Sequence, residues 1–288
     1  MHEAVHRMLS KYETSSIESY TRAIREIFQE IALLGLWRGK FFERAAFYGG
    51  TALRIIYGLD RFSEDLDFTL LSPKEQFDIS QYTDAAEKEI KAFGFDVHIE
   101  VKKKTKKSAV QSAFLKAQTI EQLILINAPD EVMREIPRGQ VIKIRLEVDT
   151  DPPPSFRTDA KYLLTPIPFS VRTVALPDLF AGKMHAVLCR RWKSRVKGRD
   201  WYDLIWFVTY YPKLHLAHLD ARMRQTGDWN EKGVLTQNAF LKIMHERIES
   251  LDIGQARREV EPFVKKPESL TIWSQEFFHD IVSRITLQ

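Results

Sequence analysis

Apolar residues recur at helical spacing over two segments of the chain. In residues 16–36, isoleucines and leucines stand three, four or seven positions apart, which is the repeat of an amphipathic helix. Residues 83–93 repeat the pattern, and Gly94 follows as a candidate C-cap. We therefore predict a helix over each segment.

A shorter helix is predicted directly after two adjacent glycines. Gly49 and Gly50 form a candidate turn, Thr51 is placed to cap the helix behind it, and Gly58 is placed to end that helix. Residues 66–70 then form a short strand candidate. The sequence thus predicts a glycine turn, then a short helix and then a strand.

Strand patterns dominate the next part of the sequence. Residues 95–101 alternate apolar and polar side chains, and residues 109–116 are placed to return as a hairpin partner beyond the lysine-rich tip at 102–107. Residues 122–127, with the sequence QLILIN, are a further strand candidate. The clearest alternation, VIKIRLEVDT at 141–150, puts apolar and polar side chains on opposite faces.

Helices replace strands towards the C-terminus. Prolines at 152–154 stop the preceding strand, because proline cannot donate to a sheet. A last extended segment at 167–176 precedes a pattern that is helical almost to the end. We predict an α+β fold, in which a mixed sheet with flanking helices (residues 1–175) is docked on a helical C-terminal domain (residues 176–288).

The composition is that of an ordinary globular protein. The 288 residues are 44% hydrophobic and 28% charged, and the net charge of +4 is a mild excess. One cysteine excludes an internal disulfide framework, and no apolar run reaches the ~18–20 residues of a membrane span. The N-terminal segment lacks the apolar core of a signal peptide. We expect a cytoplasmic protein without membrane association.

Two carboxylates on alternate positions are the first candidates for chemistry. Asp65 and Asp67 flank Leu66, and residues i and i+2 of a strand point to the same side. Such a pair repels unless a cation lies between its members, and oxygen ligands suit Mg²⁺ or Mn²⁺. The upstream glycines permit close backbone approach, and a helix N-terminus favours phosphate. The alternative is a solvated acidic strand edge behind a glycine turn.

A third carboxylate lies on the clearest strand. Glu147 and Asp149 share its polar face with Arg145, and periodicity does not separate the two acids. An acid from a neighbouring strand would complete the ligands of a two-metal site for in-line phosphoryl displacement. The alternative is a solvated strand face.

A run of basic residues lies in the helical part. From Lys183 to Arg199 there are seven lysines and arginines and no acid. A lysine that reaches a triphosphate, with arginines near the leaving pyrophosphate, is common in phosphoryl transfer. We predict that Lys183 and Arg190 share a helical face and that Asp200 orients Lys183 or a nearby arginine. Asp203 is expected to interact with the helix dipole. The other cations would form a salt-sensitive surface for RNA or a solvated loop.

The remaining chemistry-bearing side chains show no ligand spacing. The histidines, including His185, are assigned no role, and Cys189 is expected to pack within a helix. The lysine-rich tip is typical of a solvated turn, with a nucleic-acid contact as the alternative. Trp206 and Phe207 are typical of a core.

The order of these motifs resembles a known family. Gly-Gly, a spacer and Asp-apolar-Asp, with a later acid on a strand, are similar to the nucleotidyltransferase superfamily with a DNA-polymerase-β-like core. The wording GGTALR…RFSEDLDF and its long spacer resemble the AbiEii/AbiGii toxin family, which includes the MenT-type toxins that modify tRNA. IRLEVDTDPP and LFAGKMHAVLCRRWKSRVKGRDWYDLIWF are similar to later blocks of that family. The resemblance covers residues 45–210.

The resemblance implies a metal-dependent transfer of a nucleoside monophosphate from an NTP, with release of pyrophosphate. The implied ligands of Mg²⁺ or Mn²⁺ are Asp65, Asp67 and Glu147, of which Glu147 also serves the acceptor hydroxyl as base or ligand. Lys183 and Asp200 match the family's later lysine and aspartate. The implied nucleotide contacts are Gly49, Gly50, Thr51, Lys183 and Arg190. Where many members carry a serine after the first glycine, this chain has Gly50.

The implied biological role is the toxin of a toxin–antitoxin or phage-defence pair. Its acceptor would be RNA, with the 3′ end of tRNA as the leading candidate, and NTP and acceptor would occupy the cleft between the two domains. A separate antitoxin would be the partner. Two alternatives stay open: a nucleotidyltransferase that acts on a small molecule such as an aminoglycoside or on a protein side chain, and a non-catalytic RNA-binding module.

Overall fold

The computed structural model describes residues 2–74, 76–102, 109–153, 155–190 and 196–288. They divide into two units, which are described separately. The first contains Met1–Tyr57, Glu64–Pro152 and Asp159–Thr173. The second contains Gly58–Ser63, Pro153–Thr158 and Val174–Gln288.

A mixed sheet of seven strands forms the centre of the first unit. Its strands are β1 (Ala45–Tyr48), β2 (Leu66–Leu70), β3 (His98–Val101), β4 (Val110–Gln118), β5 (Val141–Asp149), β6 (Thr158–Leu163) and β7 (Phe169–Val174), in the order β3-β4-β5-β2-β1-β7-β6. Strand β2 runs antiparallel to β1 and parallel to β5. Two acid-bearing strands far apart in sequence are therefore neighbours in the sheet.

Six α-helices accompany this sheet among the described residues. They are α1 (Glu3–Leu9), α2 (Ile17–Arg38), α3 (Gly49–Tyr57), α4 (Ser80–Ala92), α5 (Thr119–Leu125) and α6 (Asp130–Arg134), with a short 3-10 helix at Phe41–Glu43. The serines at 16 and 19 cap α2 reciprocally, and its isoleucines at 24, 27 and 31 are buried. Helix α4 is followed by Gly94 at φ +93°. The two long helices predicted from apolar spacing are confirmed.

The sheet separates apolar from polar side chains at its centre. Leu66 and Phe68 of β2 and Leu146 and Val148 of β5 are at most 1% exposed. The acids Asp67 of β2 and Glu147 and Asp149 of β5 stand at alternate positions and project from the other side. The strand pattern of residues 141–150 therefore predicted the buried face correctly.

The predicted strand at residues 122–127 is wrong, because this segment lies largely in helix α5. Leu123 and Ile126, three positions apart, are buried, whereas Ile124 between them is 58% exposed. That spacing suits a helix rather than a strand. Asn127, at φ +54°, follows the helix in a left-handed conformation. A short apolar run is compatible with either a strand or a helix, and the tertiary packing of its side chains decides which one forms.

The second unit is built mainly of helices. They are α7 (Leu176–Cys189), α8 (Gly198–Tyr210), α9 (Leu216–Thr226), α10 (Gln237–Glu249), α11 (Ile253–Val260) and α12 (Gln275–Ser283), with 3-10 turns at Glu261–Phe263 and Pro267–Ile272. Two short strands, β8 (Lys213–Leu214) and β9 (Thr286–Leu287), pair in parallel. The rings of Phe180 and Phe207 stack at 4.4 Å, and Trp206 is 5% exposed. The tryptophan and phenylalanine predicted as core are confirmed.

The predicted α+β class is confirmed by this arrangement of a mixed sheet with flanking helices and a helical second unit. Within the described ranges, each helix is either too short or too polar to cross a bilayer.

Candidate active site

The two adjacent glycines form the start of helix α3. Strand β1 ends at Tyr48 and α3 begins at Gly49, so the predicted separate turn is wrong. Gly49 has φ +82°, a left-handed conformation that favours glycine. A β carbon at this position would lie 2.5 Å from Oδ2 of Asp67, which is far inside van der Waals contact. Glycine is therefore required here both by the backbone and by the neighbouring carboxylate.

Thr51 does not cap α3, because the helix begins two residues earlier. Its side chain is fully buried, and its hydroxyl donates to the backbone carbonyl of Asp65. This bond ties the first turn of α3 to the residue just before β2. The threonine thus has a structural role that accounts for its hydroxyl.

The register of the central strands places the candidate acids side by side. Asp67 is paired with Glu147 across the parallel ladder, and Asp149 is paired with Thr69 two positions further on. Residues paired in this way project from the same side of a sheet. The sequence left Glu147 and Asp149 unresolved, and the register favours Glu147 as the neighbour of Asp67. Ser112, opposite Glu147 on β4, donates a long hydrogen bond of 3.4 Å to Oε1 of Glu147.

Arg145 connects two of the candidate acids. Its guanidinium donates to Oδ2 of Asp65 at 3.1 Å and to Oε1 of Glu147 at 3.1 Å. Partial burial alone would lower the pKa of Arg145, but the charges of Asp65 and Glu147 outweigh that effect and raise it. Asp65 and Glu147 are about one-third exposed. A positive charge therefore already lies between these carboxylates.

The donor set fits a hard divalent cation by its chemistry. Asp65, Asp67 and Glu147 offer carboxylate oxygens, which Mg²⁺ and Mn²⁺ prefer. The absence of a side chain at Gly49 makes room for the carboxylate of Asp67. In the described parts of the chain, however, the oxygens of these three carboxylates do not all lie within 4.8 Å of one another. A different group of side chains, in the second unit, meets that distance. A cation bound here would compete with Arg145 for Oδ2 of Asp65 and Oε1 of Glu147.

Lys183, in the second unit, is paired chiefly with Asp203. Nζ of Lys183 lies 2.7 Å from Asp203 but 3.9 Å from Asp200. Asp203 has no exposed surface and also accepts two hydrogen bonds from Arg61, at 2.6 and 2.7 Å. The predicted role of Asp203 at the helix dipole is therefore wrong. It is the centre of a buried ion-pair network.

Asp200 and Arg190 form a second pair in the same unit. Nη1 of Arg190 lies 2.9 Å from Oδ2 of Asp200. Helix α7 ends at Cys189, and Arg190 has extended backbone dihedrals, so Arg190 and Lys183 do not share a helical face as predicted. Both approach Asp200 instead. The other predicted basic contacts at 191, 193 and 195, and the lysine tip from 103 to 107, lie outside the described residues.

Arg61 is the member of this network that the sequence did not reveal. It is 2% exposed and 142 positions before its partner, Asp203. The arginine stands alone in a short connection between α3 and β2, where an exposed side chain is the ordinary expectation. Burial alone would lower the pKa of Arg61, but the charge and hydrogen bonds of Asp203 raise it. The ion pair is thus a property of the tertiary fold.

Comparison with protein families gives a match over most of the chain. Residues 31–279 match the family described as nucleotidyl transferase AbiEii toxin, type IV toxin–antitoxin system. The chain belongs to this family. The resemblance read from the glycines, the acids and the later basic block is thereby confirmed, and the AbiEii family places the protein among the nucleotidyltransferases.

Two solved structures also align with this AbiEii-family chain. One is JHP933 from Helicobacter pylori, at 15% identity and a TM-score of 0.47, with 91% of this chain and 94% of that chain covered. The other is a candidate nucleotidyltransferase from H. pylori, at 16% identity and a TM-score of 0.47, with 89% and 96% covered. No curated protein sequence matches this chain.

Proposed function

We propose that this AbiEii-family protein is a metal-dependent nucleotidyltransferase toxin that transfers a nucleoside monophosphate from an NTP to an RNA hydroxyl. The observation that carries the proposal is the register of β2 and β5, which pairs Asp67 with Glu147. The close approach of Oδ2 of Asp67 to Gly49, which a β carbon would prevent, adds to it. Of the RNA hydroxyls, the 3′ end of tRNA is the acceptor we propose.

The acids would hold Mg²⁺ or Mn²⁺, with Asp65, Asp67 and Glu147 as ligands. The bound cation would neutralise phosphate charge and favour an in-line displacement. The N-terminus of α3 directs backbone N–H groups outward, and glycine at its first position permits close approach of a phosphate oxygen. Gly49 and Gly50 are therefore proposed as phosphate contacts.

The reaction would exchange one phosphorus–oxygen bond for another. The acceptor hydroxyl oxygen forms a bond to the α-phosphorus, and the bond from that phosphorus to the bridging oxygen of the β-phosphate breaks. Pyrophosphate leaves, and the hydroxyl proton passes to a carboxylate, for which we propose Glu147. The partial exposure of Glu147, about one-third of its side chain, allows the proton to move on to water.

Lys183 is proposed to contact nucleotide phosphate, with Asp203 fixing its ammonium group. The 2.7 Å contact between them and the burial of Asp203 support a fixed position for the lysine. The family is described as the toxin of a type IV toxin–antitoxin system. We therefore propose that the partner of this protein is an antitoxin on a separate chain.

Labelling with radioactive nucleotides tests this proposal. The protein is incubated with Mg²⁺, total tRNA and each α-³²P-labelled NTP in turn, beside the variants Asp67→Asn and Asp149→Asn. We expect label on tRNA from wild type and from Asp149→Asn, and none from Asp67→Asn. Label on the protein would replace RNA by a protein acceptor, and equal labelling by all three proteins would overturn the assignment of the site.

A further inference from the structure

A second group of potential metal ligands lies in the helical unit. His185 and Cys189 are four residues apart in helix α7, and Asp228 lies just beyond the end of α9. One ligand atom from each of the three residues lies within 4.8 Å of the other two. In the described ranges this is the one such group of histidine, cysteine and acidic side chains. None of its members belongs to the proposed transfer site.

The spacing of these atoms approaches that of a tetrahedral metal site. Nε2 of His185 is 3.8 Å from Oδ2 of Asp228. Zinc bonds to nitrogen, oxygen and sulfur of ~2.0–2.3 Å imply ligand–ligand distances of ~3.3–3.6 Å in a tetrahedron. A shift of a few tenths of an ångström would bring this pair into that range. Both side chains are less than one-fifth exposed, so a bound ion would be largely shielded from water.

The acidic member of the group is held in place by its surroundings. Thr226 donates from its hydroxyl to Oδ2 of Asp228 at 2.6 Å, and Nε2 of His185 is 2.9 Å from the same hydroxyl. Gly227, at φ +75°, ends α9, and the amide of Asp228 donates to the carbonyl of Met223 at 2.8 Å. A hydroxyl that orients first-sphere groups is a common feature of protein metal sites.

The arrangement suits metal binding better than nucleophilic catalysis. A cysteine–histidine–aspartate triad uses both imidazole nitrogens, one for the thiol and one for the carboxylate. Here a single ring nitrogen lies within reach of both.

We propose that His185, Cys189 and Asp228 form a binding site for Zn²⁺ that links helix α7 to the end of helix α9. A thiolate and a carboxylate would balance the two charges of the cation. Three protein ligands leave a fourth position, which water or Thr226 would fill. Because the ligands come from two elements, the ion would stabilise the folded state of the second unit.

Cobalt is the direct probe of this site. Co²⁺ adopts the geometry of zinc sites and shows a thiolate-to-metal charge-transfer band in the near ultraviolet. The chain has one cysteine, so any such band reports Cys189. We expect one equivalent of Co²⁺ to produce the band and one equivalent of Zn²⁺ to remove it.

Substitutions assign the ligands. Cys189→Ser should abolish the band. His185→Gln and Asp228→Asn should each raise the dissociation constant for Co²⁺ at least ~10-fold, because loss of even an outer-sphere partner costs that much in metal affinity. Asp280→Asn, at an exposed acid paired with Arg284, should leave the titration unchanged. Circular dichroism of each variant verifies its fold, and Zn²⁺ should raise the melting temperature of wild type but not of Cys189→Ser. A wild-type protein that gives no charge-transfer band, or folded His185 and Asp228 variants that bind like wild type, would overturn the assignment.

Discussion

Gly49 leaves room for the carboxylate of Asp67: a β carbon at position 49 would lie 2.5 Å from Oδ2 of that aspartate. The two residues belong to adjacent elements, since Tyr48, at the end of β1, is paired with Asp67 across the antiparallel ladder. The helix that begins at Gly49 therefore starts beside an acid on the neighbouring strand. A side chain at position 49 would displace that acid.

Gly49→Ala should lower the transfer rate strongly and destabilise the protein only modestly. The left-handed backbone costs alanine ~1–2 kcal/mol, and the methyl group displaces Asp67, for which a misplacement of ~1 Å costs ~10²-fold in rate. Gly58→Ala is the matched control, because Gly58 has φ +79° and nothing within 4 Å of an added β carbon. We expect a similar loss of stability, measured by urea unfolding, but nearly normal transfer in the control. Equal rates for both variants would contradict the role given to the close approach.

Glu147→Gln should reduce the transfer rate by ~10²–10⁴-fold, the usual contribution of a general base. Asp149→Asn should retain nearly normal activity, because Asp149 is paired with Thr69 rather than Asp67. Single-turnover rates with saturating nucleotide separate this effect from binding. The reverse ranking of the two variants would make Asp149 the third carboxylate.

Arg145→Gln should tighten the binding of Mn²⁺. Arg145 donates to Asp65 and Glu147 at 3.1 Å each, so its guanidinium and a divalent cation compete for the same oxygens. Electron paramagnetic resonance of free Mn²⁺ measures the dissociation constant without nucleotide. Arg145→Lys, which keeps the charge, should remain close to wild type. Weaker Mn²⁺ binding by the glutamine variant would mean that the arginine organises the acids for the cation.

Asp203→Asn should destabilise the protein by ~3–5 kcal/mol, the usual cost of breaking a buried ion pair. The variant leaves Arg61 and Lys183 without their carboxylate, and Arg61 is 3% exposed in its side chain. Asp200→Asn should cost less, because its partner Arg190 is 43% exposed and can be hydrated. Urea unfolding at neutral pH compares the two losses, and equal losses would contradict the central position of Asp203.

Wild type and Asp203→Asn, compared over a range of pH, test the ionisation of Asp203. Burial alone would raise the pKa of Asp203, but the charges and hydrogen bonds of Arg61 and Lys183 lower it below its ordinary value. The stabilisation by this ionised acid is therefore complete above the unfolded pKa of ~3.9 and is lost as the pH falls towards the lower folded value. The stability difference between wild type and Asp203→Asn should shrink below about pH 4. A difference that stays constant would argue that the acid does not titrate.

The sequence predicts the parts of this fold that repeat a period. The alternation at residues 141–150 specified which side chains of β5 are buried, and the apolar spacing of α2 and α4 specified two helices. Strand β6 was not predicted, because Thr158–Leu163 lies at the edge of the sheet and exposes most of its side chains. An edge strand has no obligatory apolar alternation to detect.

The site is predictable in residue type and less so in geometry. Asp65, Asp67 and Glu147 were selected by alternation and motif order, yet their neighbours depend on strand register, which no local pattern records. The same is true of Arg61 and Asp203, and of Cys189 and Asp228. In each case the partners come from separate elements.

The central claim, transfer of the α-phosphoryl group of an NTP to RNA, is tested most directly with two labels. The protein, Mg²⁺ and tRNA are incubated in parallel with α-³²P and γ-³²P forms of the nucleotide that gives transfer. The account predicts that the α label enters RNA, that the γ label is released as pyrophosphate in equal amount, and that Asp67→Asn does neither. Entry of the γ label into RNA, or pyrophosphate release unaffected by Asp67→Asn, would contradict it.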